Sequence, residues 1–235
     1  MLSVLFRCDD FLAVNKPSGV SLFADRTGKA NLWDVLKEQL TREQQTPRSV
    51  HRLDKGTSGV LLVALTRAAQ RELNRAFNPG IASPPIRKFY VARVCGALQL
   101  AGTGDIDLPL RKGRKSRYRI AGAREAIQRD ADAWRLSGEA DAGYRSHTRF
   151  RRVTSLGPDT LLVLAPTTGR THQLRVHLAW IGHPIRGDHL YGRPESDSQC
   201  WPRLALHCHR MVFELAQTRY SIAAPLPEGF TSVSD

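Results

Sequence analysis

The apolar residues of the first third of the chain are spaced as in strands and short amphipathic helices. Two apolar segments, Leu2–Arg7 and Phe11–Lys16, predict an opening hairpin. The solid apolar run Gly59–Leu65 predicts a buried strand. Helices are expected over about Asn31–Leu40 and Thr66–Phe77, because each segment begins with a residue that caps helices well. The apolar face of the first helix is expected to hold Leu32, Val35, Leu36 and Leu40.

The second half of the chain continues with strands and one further helix. We expect a strand over Lys88–Cys95, a hairpin formed by Thr148–Thr154 and Thr160–Ala165, and a strand pair within Leu204–Ala223. Thr171–Gly182 predicts a helix, because its apolar residues recur at helical spacing and a Gly and a Pro follow its end. Strands that follow one another in hairpins indicate an α+β fold with a mainly antiparallel sheet.

Charge narrows the class of partner. The 235 residues include 35 Lys and Arg against 22 Asp and Glu, which gives a formal net charge of +13. Such an excess predicts a polyanionic partner, and the chain has no lipidation motif or basic amphipathic helix that would favour a membrane surface. Nucleic acid is therefore the expected partner. The opening residues lack a secretory signal, so we expect a cytoplasmic protein.

The four cysteines suggest reduced thiols rather than a disulfide framework or a metal site. Cys8, Cys95, Cys200 and Cys208 are far apart and form no CxxC pair. The run His207–His209 contains two histidines around a cysteine, but neighbouring residues of a strand point to opposite faces and chelate one ion poorly. We expect no metal.

The segment His51–Gly59 combines a charged loop with the start of the buried strand. The strand would anchor the loop and present Asp54 from a rigid base, as a catalytic group requires. Its two glycines permit close backbone approach or a positive φ, and Thr57 and Ser58 can fix the turn. The alternative is an ordinary turn in which the aspartate caps its own backbone.

The segment Gly169–His177 contains a second candidate. Arg175 would lie beside the buried stripe of the predicted helix, and a buried arginine needs a carboxylate partner. The alternative is a surface arginine that contacts RNA phosphate alone. His172 and His177 are five positions apart, so they do not form the i, i+4 pair of a metal site.

Several segments of the chain, taken together, resemble one enzyme family. His51–Gly59 (HRLDKGTSG) fits the HRLD-x-x-TSG signature of the RluA-type pseudouridine synthases at every fixed position. Further segments that resemble motifs of this family are Ala13–Val20, Lys88–Ala92, Gly169–His177, Gly182–Asp188, Tyr191–Gly192 and Leu204–His207. The similarity runs from about residue 11 to about residue 215.

The resemblance implies a reaction and three site residues. Asp54 would be the nucleophile or nucleophilic base that converts uridine in RNA to pseudouridine. Tyr90 would stack on the target base, and Arg175 would pair with the Asp54 carboxylate and keep it ionised. The implied fold has two lobes around a central catalytic cleft. The chain contains neither a P-loop nor GxGxxG, so no cofactor is expected.

Two departures from the family pattern concern the choice of substrate. Many relatives begin with a ribosomal-protein-like RNA-binding domain, whereas here we expect a single catalytic domain over residues 1–235. The polar region 102–143 resembles the family poorly and is expected to be a variable basic insertion or loop. Its segment Arg111–Arg119 carries six basic residues, which suits either a phosphate-binding element or a solvated, disordered loop.

The expected substrate is a stem-loop of tRNA or ribosomal RNA, because bases in single-stranded loops can be splayed out most easily. Residues expected to contact the substrate or its RNA are Lys16, His51, Arg52, Thr57, Arg111, Lys112, Arg114, Lys115, Arg170, His172 and Gln173. We expect a monomer that needs no metal. The rival functions are a non-catalytic RNA-binding module and a nuclease using Asp54, His51 and His172.

Overall fold

The structure of the protein is a computed structural model. It describes residues 3–25, 28–78, 84–100, 102–115, 117–138, 142–192 and 201–232. Two compact units make up the chain. One consists of residues 1–88 and 207–226, and the other of residues 89–206 and 227–235.

The described residues form short helices and many strands. The strands are β1 (Val4–Arg7), β2 (Phe11–Lys16), β3 (Arg48–Ser49), β4 (Ser58–Ala64), β5 (Arg87–Cys95), β6 (Thr103–Asp107), β7 (Leu110–Lys112), β8 (Tyr118–Ile120), β9 (Ile127–Asp130), β10 (Ala133–Leu136), β11 (His147–Leu156), β12 (Asp159–Pro166), β13 (Leu206–Leu215) and β14 (Thr218–Ala223). The helices are α1 (Leu32–Arg42), α2 (Arg67–Phe77) and α3 (Gln173–Trp180), and a 3₁₀ turn covers Arg124–Ala126. This content confirms the α+β class.

In the first unit, β4 is the central strand of the sheet. It pairs with β2 along its length in antiparallel fashion, and it pairs with β13 in parallel at Ser58 and Gly59. β1 extends the sheet beyond β2, and β14 forms an antiparallel pair with β13. All seven residues of β4 are buried, as the apolar run predicted. The predicted opening hairpin is confirmed as well.

The two helices of this unit begin where their capping residues predicted. The side chain of Asn31 accepts a hydrogen bond from the Asp34 N–H at 3.1 Å, and Thr66 caps α2 in the same way. The prediction that Val35 faces the core is wrong, since its side chain is 43% exposed. The buried residues Leu32, Leu36 and Leu40 are spaced by four, and a residue next to Leu36 is rotated by about 100° away from their stripe.

In the second unit, the sheet has the order β5, β12, β11, β6, β10, β9. Its pairs are antiparallel except for β10 with β6, and β7 and β8 form a separate antiparallel hairpin. The predicted hairpin of β11 and β12 is confirmed over longer strands. The core of the second unit is a cluster of buried apolar side chains from the sheet, α3 and the adjoining loops.

The described part of region 102–143 contains five strands, so it is not an unstructured loop. Ile106, Leu108 and Leu110 are each 0% exposed. Their spacing of two residues is a strand signal. Whether the region is an insertion relative to the family stays a prediction.

Across the described part of the chain, the helices are too short or too polar to span a bilayer.

Candidate active site

The loop that carries Asp54 is held by its own backbone carbonyls. The carbonyl of Asp54 accepts a hydrogen bond from the Thr57 N–H at 3.0 Å, which closes a turn. The next carbonyl, that of Lys55, accepts from the Gly19 N–H at 2.8 Å and from the Lys16 ammonium at 3.2 Å. The following glycine carbonyl accepts from the Ser18 hydroxyl at 2.6 Å. Each of three successive carbonyls therefore has a donor, which fixes the path of the loop.

Lys16 is the cation that joins this loop to the segment before it. Its side chain is 0% exposed, and its Nζ also donates to the carbonyls of Pro17 and Val20 at 2.8 and 2.7 Å. These contacts hold residues 16–20 and 54–56 together. Its predicted contact with RNA stays a prediction, whereas its described hydrogen bonds are to backbone carbonyls of the loop and of the segment before it.

The Asp54 side chain is half-buried between well-anchored neighbours. Leu53 is 4% exposed and Thr57 is 2% exposed, so the loop is fastened to the interior on both sides. Just beyond, the buried Ser58 hydroxyl lies 2.8 Å from His207 Nδ1 on β13. The burial of Thr57 makes it part of this anchor. The arrangement holds the half-buried Asp54 on a rigid base, as its sequence context predicted.

His51 supports the loop as a neutral ring. Its Nε2 accepts a hydrogen bond from the Leu62 N–H at 2.8 Å, and its ring stacks on Phe77 with 4.5 Å between the centroids. Burial, together with the positive charge of Lys88, lowers the pKa of His51 to about 3. A neutral histidine that uses Nε2 to accept a backbone hydrogen bond is poorly suited to grip phosphate. The neighbouring Arg52 is exposed and suited to that role.

In the second unit, Arg175 is a buried arginine with a carboxylate partner. Its guanidinium forms a bidentate ion pair with Asp188, with Nε–Oδ2 at 2.8 Å and Nη2–Oδ1 at 2.7 Å. Arg175 is 7% and Asp188 4% exposed. The argument that a buried arginine here needs a carboxylate is confirmed. The sequence reasoning missed Asp188 as that carboxylate, although Gly182–Asp188 is one of the segments that resemble the family. The pairing of Arg175 with Asp54 concerns residues of different units and stays a prediction.

Tyr191 connects Arg175 to the basic hairpin. Asp188 Oδ1 accepts the N–H groups of Leu190 and Tyr191 at 3.0 and 3.2 Å, and the Arg175 guanidinium lies 5.1 Å from the centroid of the Tyr191 ring. The Tyr191 hydroxyl accepts a hydrogen bond from the Tyr118 N–H of β8 at 2.9 Å. Sequence reasoning gave Tyr191 no role of its own.

The start of α3 differs from its prediction. The helix was expected from Thr171, but it begins at Gln173, because His172 has φ +57°, in the left-handed region. The ring of His172 is held by Tyr191, whose hydroxyl is 2.8 Å from His172 Nδ1. A non-glycine residue with such a φ is strained and persists where its surroundings hold it. Past the other end of the helix, Gly182 has φ +96°, as its predicted role as a terminator requires.

Gln173 organises the turn before α3. Its side-chain oxygen accepts from the Thr168 hydroxyl at 2.7 Å and from the Arg170 N–H at 3.1 Å. Its amide group donates to the His147 carbonyl at 2.9 Å and to Thr148. Gln173 is 4% exposed, whereas Arg170 is exposed. Of the two, Arg170 has the accessibility that contact with RNA requires.

Tyr90 lies on β5 and pairs in register with Leu164 of β12. Its ring is half-buried and packs against the apolar cluster of the second unit. The apolar cluster supports one part of this ring, and the accessible part is able to stack on a base. Its stacking role stays a prediction.

The basic run 111–119 covers the hairpin β7–β8 except for the first residue of β7 and the last residue of β8. The structure describes it apart from residue 116, and the disordered-loop alternative is wrong for that described part. Lys112, Arg114 and Lys115 are exposed, and Arg111 is half-buried. The ordered hairpin therefore presents cations at the surface.

The predicted site residues fall into two groups by unit. The first unit brings together Lys16, His51, Arg52, Asp54 and Thr57. The second contains Tyr90, Arg111, Lys112, Arg114, Lys115, Arg170, His172, Gln173 and Arg175. In the run 207–209, Cys208 is buried, and His209 Nδ1 lies 2.8 Å from the Ala224 carbonyl. Cys200 lies outside the described residues.

Comparison with known proteins points to one family. Residues 10–180 match the family model described as RNA pseudouridylate synthase. The chain is 38% identical over 218 residues to the dual-specificity RNA pseudouridine synthase RluA of Escherichia coli strain CFT073, covering 90% of this chain and 86% of that protein. It is 36% identical over 236 residues to the protein of the same name from Salmonella typhi, covering 97% and 94%.

Solved structures agree with these matches. The chain is similar to human RNA Pseudouridylate Synthase Domain Containing 1, with a TM-score of 0.73 and 26% identity over 96% of this chain and 83% of that one. A second human structure, RNA Pseudouridylate Synthase Domain Containing 4, has a TM-score of 0.76 at 21% identity, covers 97% of this chain and 90% of its own, and supports the fold alone.

Proposed function

Because this chain belongs to the RluA-type family of RNA pseudouridine synthases and isomerises uridine in RNA to pseudouridine, we propose that Asp54 is its catalytic carboxylate. The observation that carries this proposal is the backbone of the Asp54 loop, in which three successive carbonyls are held by hydrogen bonds. Such a loop keeps one half-buried carboxylate in a fixed position, which is what an attacking group requires.

The reaction breaks the bond between N1 of uracil and the ribose and forms a bond from carbon 5 to the same ribose carbon. The proton on carbon 5 leaves, and N1 gains a proton. A carboxylate can start this exchange by attacking the ribose, by adding to carbon 6 of the ring, or by assisting elimination to a glycal. Each route consumes no cofactor, and we propose that this chain needs neither a cofactor nor a metal ion.

Tyr90 and Arg175 are proposed to complete the site. The half-buried ring of Tyr90 has apolar support behind it and is suited to stack on the target base. The ion pair with Asp188 and the ring of Tyr191 hold the Arg175 guanidinium in one orientation. A guanidinium so held can pair with a further carboxylate, and we assign it to Asp54, whose ionised form it would favour.

The substrate is proposed to be a stem-loop of tRNA, of ribosomal RNA, or of both. The relatives named dual-specificity support a choice of more than one RNA. The cationic hairpin β7–β8, together with Arg52 and Arg170, would neutralise phosphates of the stem. We propose that Lys16, Thr57 and Gln173 act as positioning residues, because they are buried and bond to the backbone. A monomer and a cytoplasmic location remain our predictions.

The test of Asp54 is the variant Asp54→Asn, which keeps the size and removes the charge. Tritium released from RNA labelled at carbon 5 of uridine reports the reaction directly. We expect the rate to fall by at least about a thousandfold, while RNA affinity changes little. The matched control is Asp9→Asn, which removes one carboxylate at an exposed position of the opening hairpin and should retain full activity.

Mapping pseudouridines by carbodiimide-based primer extension, in cells with the wild type or Asp54→Asn, identifies the substrate. One or a few sites lost in the mutant would name the modified uridines. If a folded, expressed Asp54→Asn protein keeps every site and its full tritium release, Asp54 is not the catalytic carboxylate. RNA that stays full length with the protein and EDTA, while tritium is released, separates this enzyme from a nuclease.

A further inference from the structure

Tyr144 is an aromatic residue left in solvent. Its side chain is 59% exposed, more than any other large hydrophobic residue in the described part of the chain. It precedes β11 and lies outside the motifs that carry the family resemblance. A tyrosine that contributes so little to the core has a ring available for contact with another molecule.

The backbone of Tyr144 is fixed although its ring is exposed. Its N–H donates to the Leu110 carbonyl at 2.7 Å, and its carbonyl accepts from the Leu110 N–H at 2.9 Å. The same carbonyl accepts a hydrogen bond from the Ser146 hydroxyl at 2.9 Å. Leu110 is 0% exposed, so the bridge ties Tyr144 to the interior at the start of β7. The ring therefore projects from a rigid support.

A cation lies beside this ring, and further basic residues follow in the segments attached to it. The Arg170 guanidinium lies 5.6 Å from the Tyr144 ring centroid. Arg170 is itself held, because its Nε donates to the Arg145 carbonyl at 3.2 Å and its N–H donates to Gln173. From the Leu110 bridge the chain enters residues 110–115, which contain four basic and no acidic residues. The exposed ring thus has the Arg170 guanidinium beside it, the exposed Arg145 follows it in the chain, and its backbone is tied to the start of the basic hairpin.

We propose that Tyr144 is a second stacking platform, which binds an unpaired base of the RNA substrate other than the target uridine, while Arg145 and Arg170 bind the adjoining phosphates. An exposed ring interleaved with cations is the combination that binds single-stranded RNA, since every base has a face to stack and every nucleotide carries a phosphate. The platform is separate from Tyr90, to which we assign the target base. This inference rests on the proposed function, in which the substrate is an RNA stem-loop, and it states how the protein holds the loop of that RNA.

The test is binding rather than catalysis. Fluorescence anisotropy with labelled oligouridine of about ten nucleotides, and with an RNA duplex of similar length, measures affinity for unpaired and paired RNA separately. Tyr144→Leu keeps apolar bulk and removes the aromatic face, whereas Tyr144→Phe keeps that face. Tyr144→Leu should weaken oligouridine binding about fivefold or more, and Tyr144→Phe should bind within about twofold of the wild type. Both should bind the duplex as the wild type does.

The outcomes distinguish stacking on the Tyr144 ring from binding by the cations near it. Neither variant changes charge, so the salt dependence of duplex binding should be the same in all three proteins. The inference is overturned if Tyr144→Leu binds oligouridine like the wild type, if both probes weaken equally, or if the wild-type protein does not bind oligouridine. Tritium release by that same wild-type protein, lost in Asp54→Asn, would still support the role of Asp54. Circular dichroism and the thermal midpoint confirm that both variants fold.

Discussion

His177 makes the stability of the protein depend on pH in a direction that the structure determines. Its ring lies on α3 and is 0% exposed. Nε2 is 2.9 Å from the Leu108 carbonyl and Nδ1 is 3.0 Å from the Thr148 hydroxyl. A neutral ring that donates from Nε2 and accepts at Nδ1 satisfies both partners. Burial lowers the pKa of His177 from 6.5 to about 4.

The direction in which the free energy of unfolding changes with pH follows from the number of protons that each state binds. Between about pH 6.5 and about pH 4 the unfolded chain protonates this histidine while the folded chain does not. The unfolded state therefore binds more protons, and the free energy of unfolding decreases as the pH falls through this interval. One pKa unit corresponds to about 1.4 kcal/mol, so His177 accounts for about 3 kcal/mol when the interval is complete.

The assay compares the wild type with His177→Gln, which cannot titrate. Urea unfolding followed by tryptophan fluorescence gives the free energy of unfolding at about pH 7.5 and at about pH 4. Trp180, at the end of α3, reports on this helix. His51 has a pKa lowered in the same direction, so both proteins lose stability in acid. The wild type should lose about 3 kcal/mol more than the variant. An equal loss in the two proteins would refute the account of His177 as a buried neutral ring.

Two further substitutions test the packing around the proposed site. Gly59→Ala should lower the free energy of unfolding by more than about 3 kcal/mol or prevent folding, because its Cβ would lie 2.2 Å from the Cys208 carbonyl oxygen and its φ is +112°. The matched control Gly19→Ala, with φ +82° and open space around it, should cost only about 1–2 kcal/mol, and equal costs in urea unfolding would contradict the close approach. Asp188→Ala should cost about 3–5 kcal/mol, because it takes the ion-pair partner from the buried Arg175. The double variant in which Arg175 is replaced by Met and Asp188 by Leu should lose less of the free energy of unfolding, because it leaves no unpaired buried charge. A double variant no more stable than Asp188→Ala would contradict the view that the cost arises from the unpaired arginine.

Local features of the chain could be predicted because their causes are local. Asn31 and Thr66 cap the helices that follow them, and the apolar run after the Asp54 loop is a buried strand. These elements depend on neighbours within a few residues. Strands β6 and β7 escaped prediction, because the many charged residues of the region, nine basic and seven acidic over 102–143, suggested a solvated segment. The apolar residues Ile106, Leu108 and Leu110, spaced by two, are the feature of the sequence that indicates strands in this region.

The sequence by itself determined the family, the reaction and the identity of the loop that bears Asp54. It also required that a buried arginine on α3 have a carboxylate partner. Only the tertiary structure decided that Asp188 is such a partner, that Lys16 is buried among carbonyls rather than exposed, and that Tyr191 joins Arg175 to the basic hairpin. The physical reason is distance along the chain. A motif records which groups are present, but the partner of a buried charge is chosen by folding, which brings together residues far apart in sequence, such as Lys16 and Lys55.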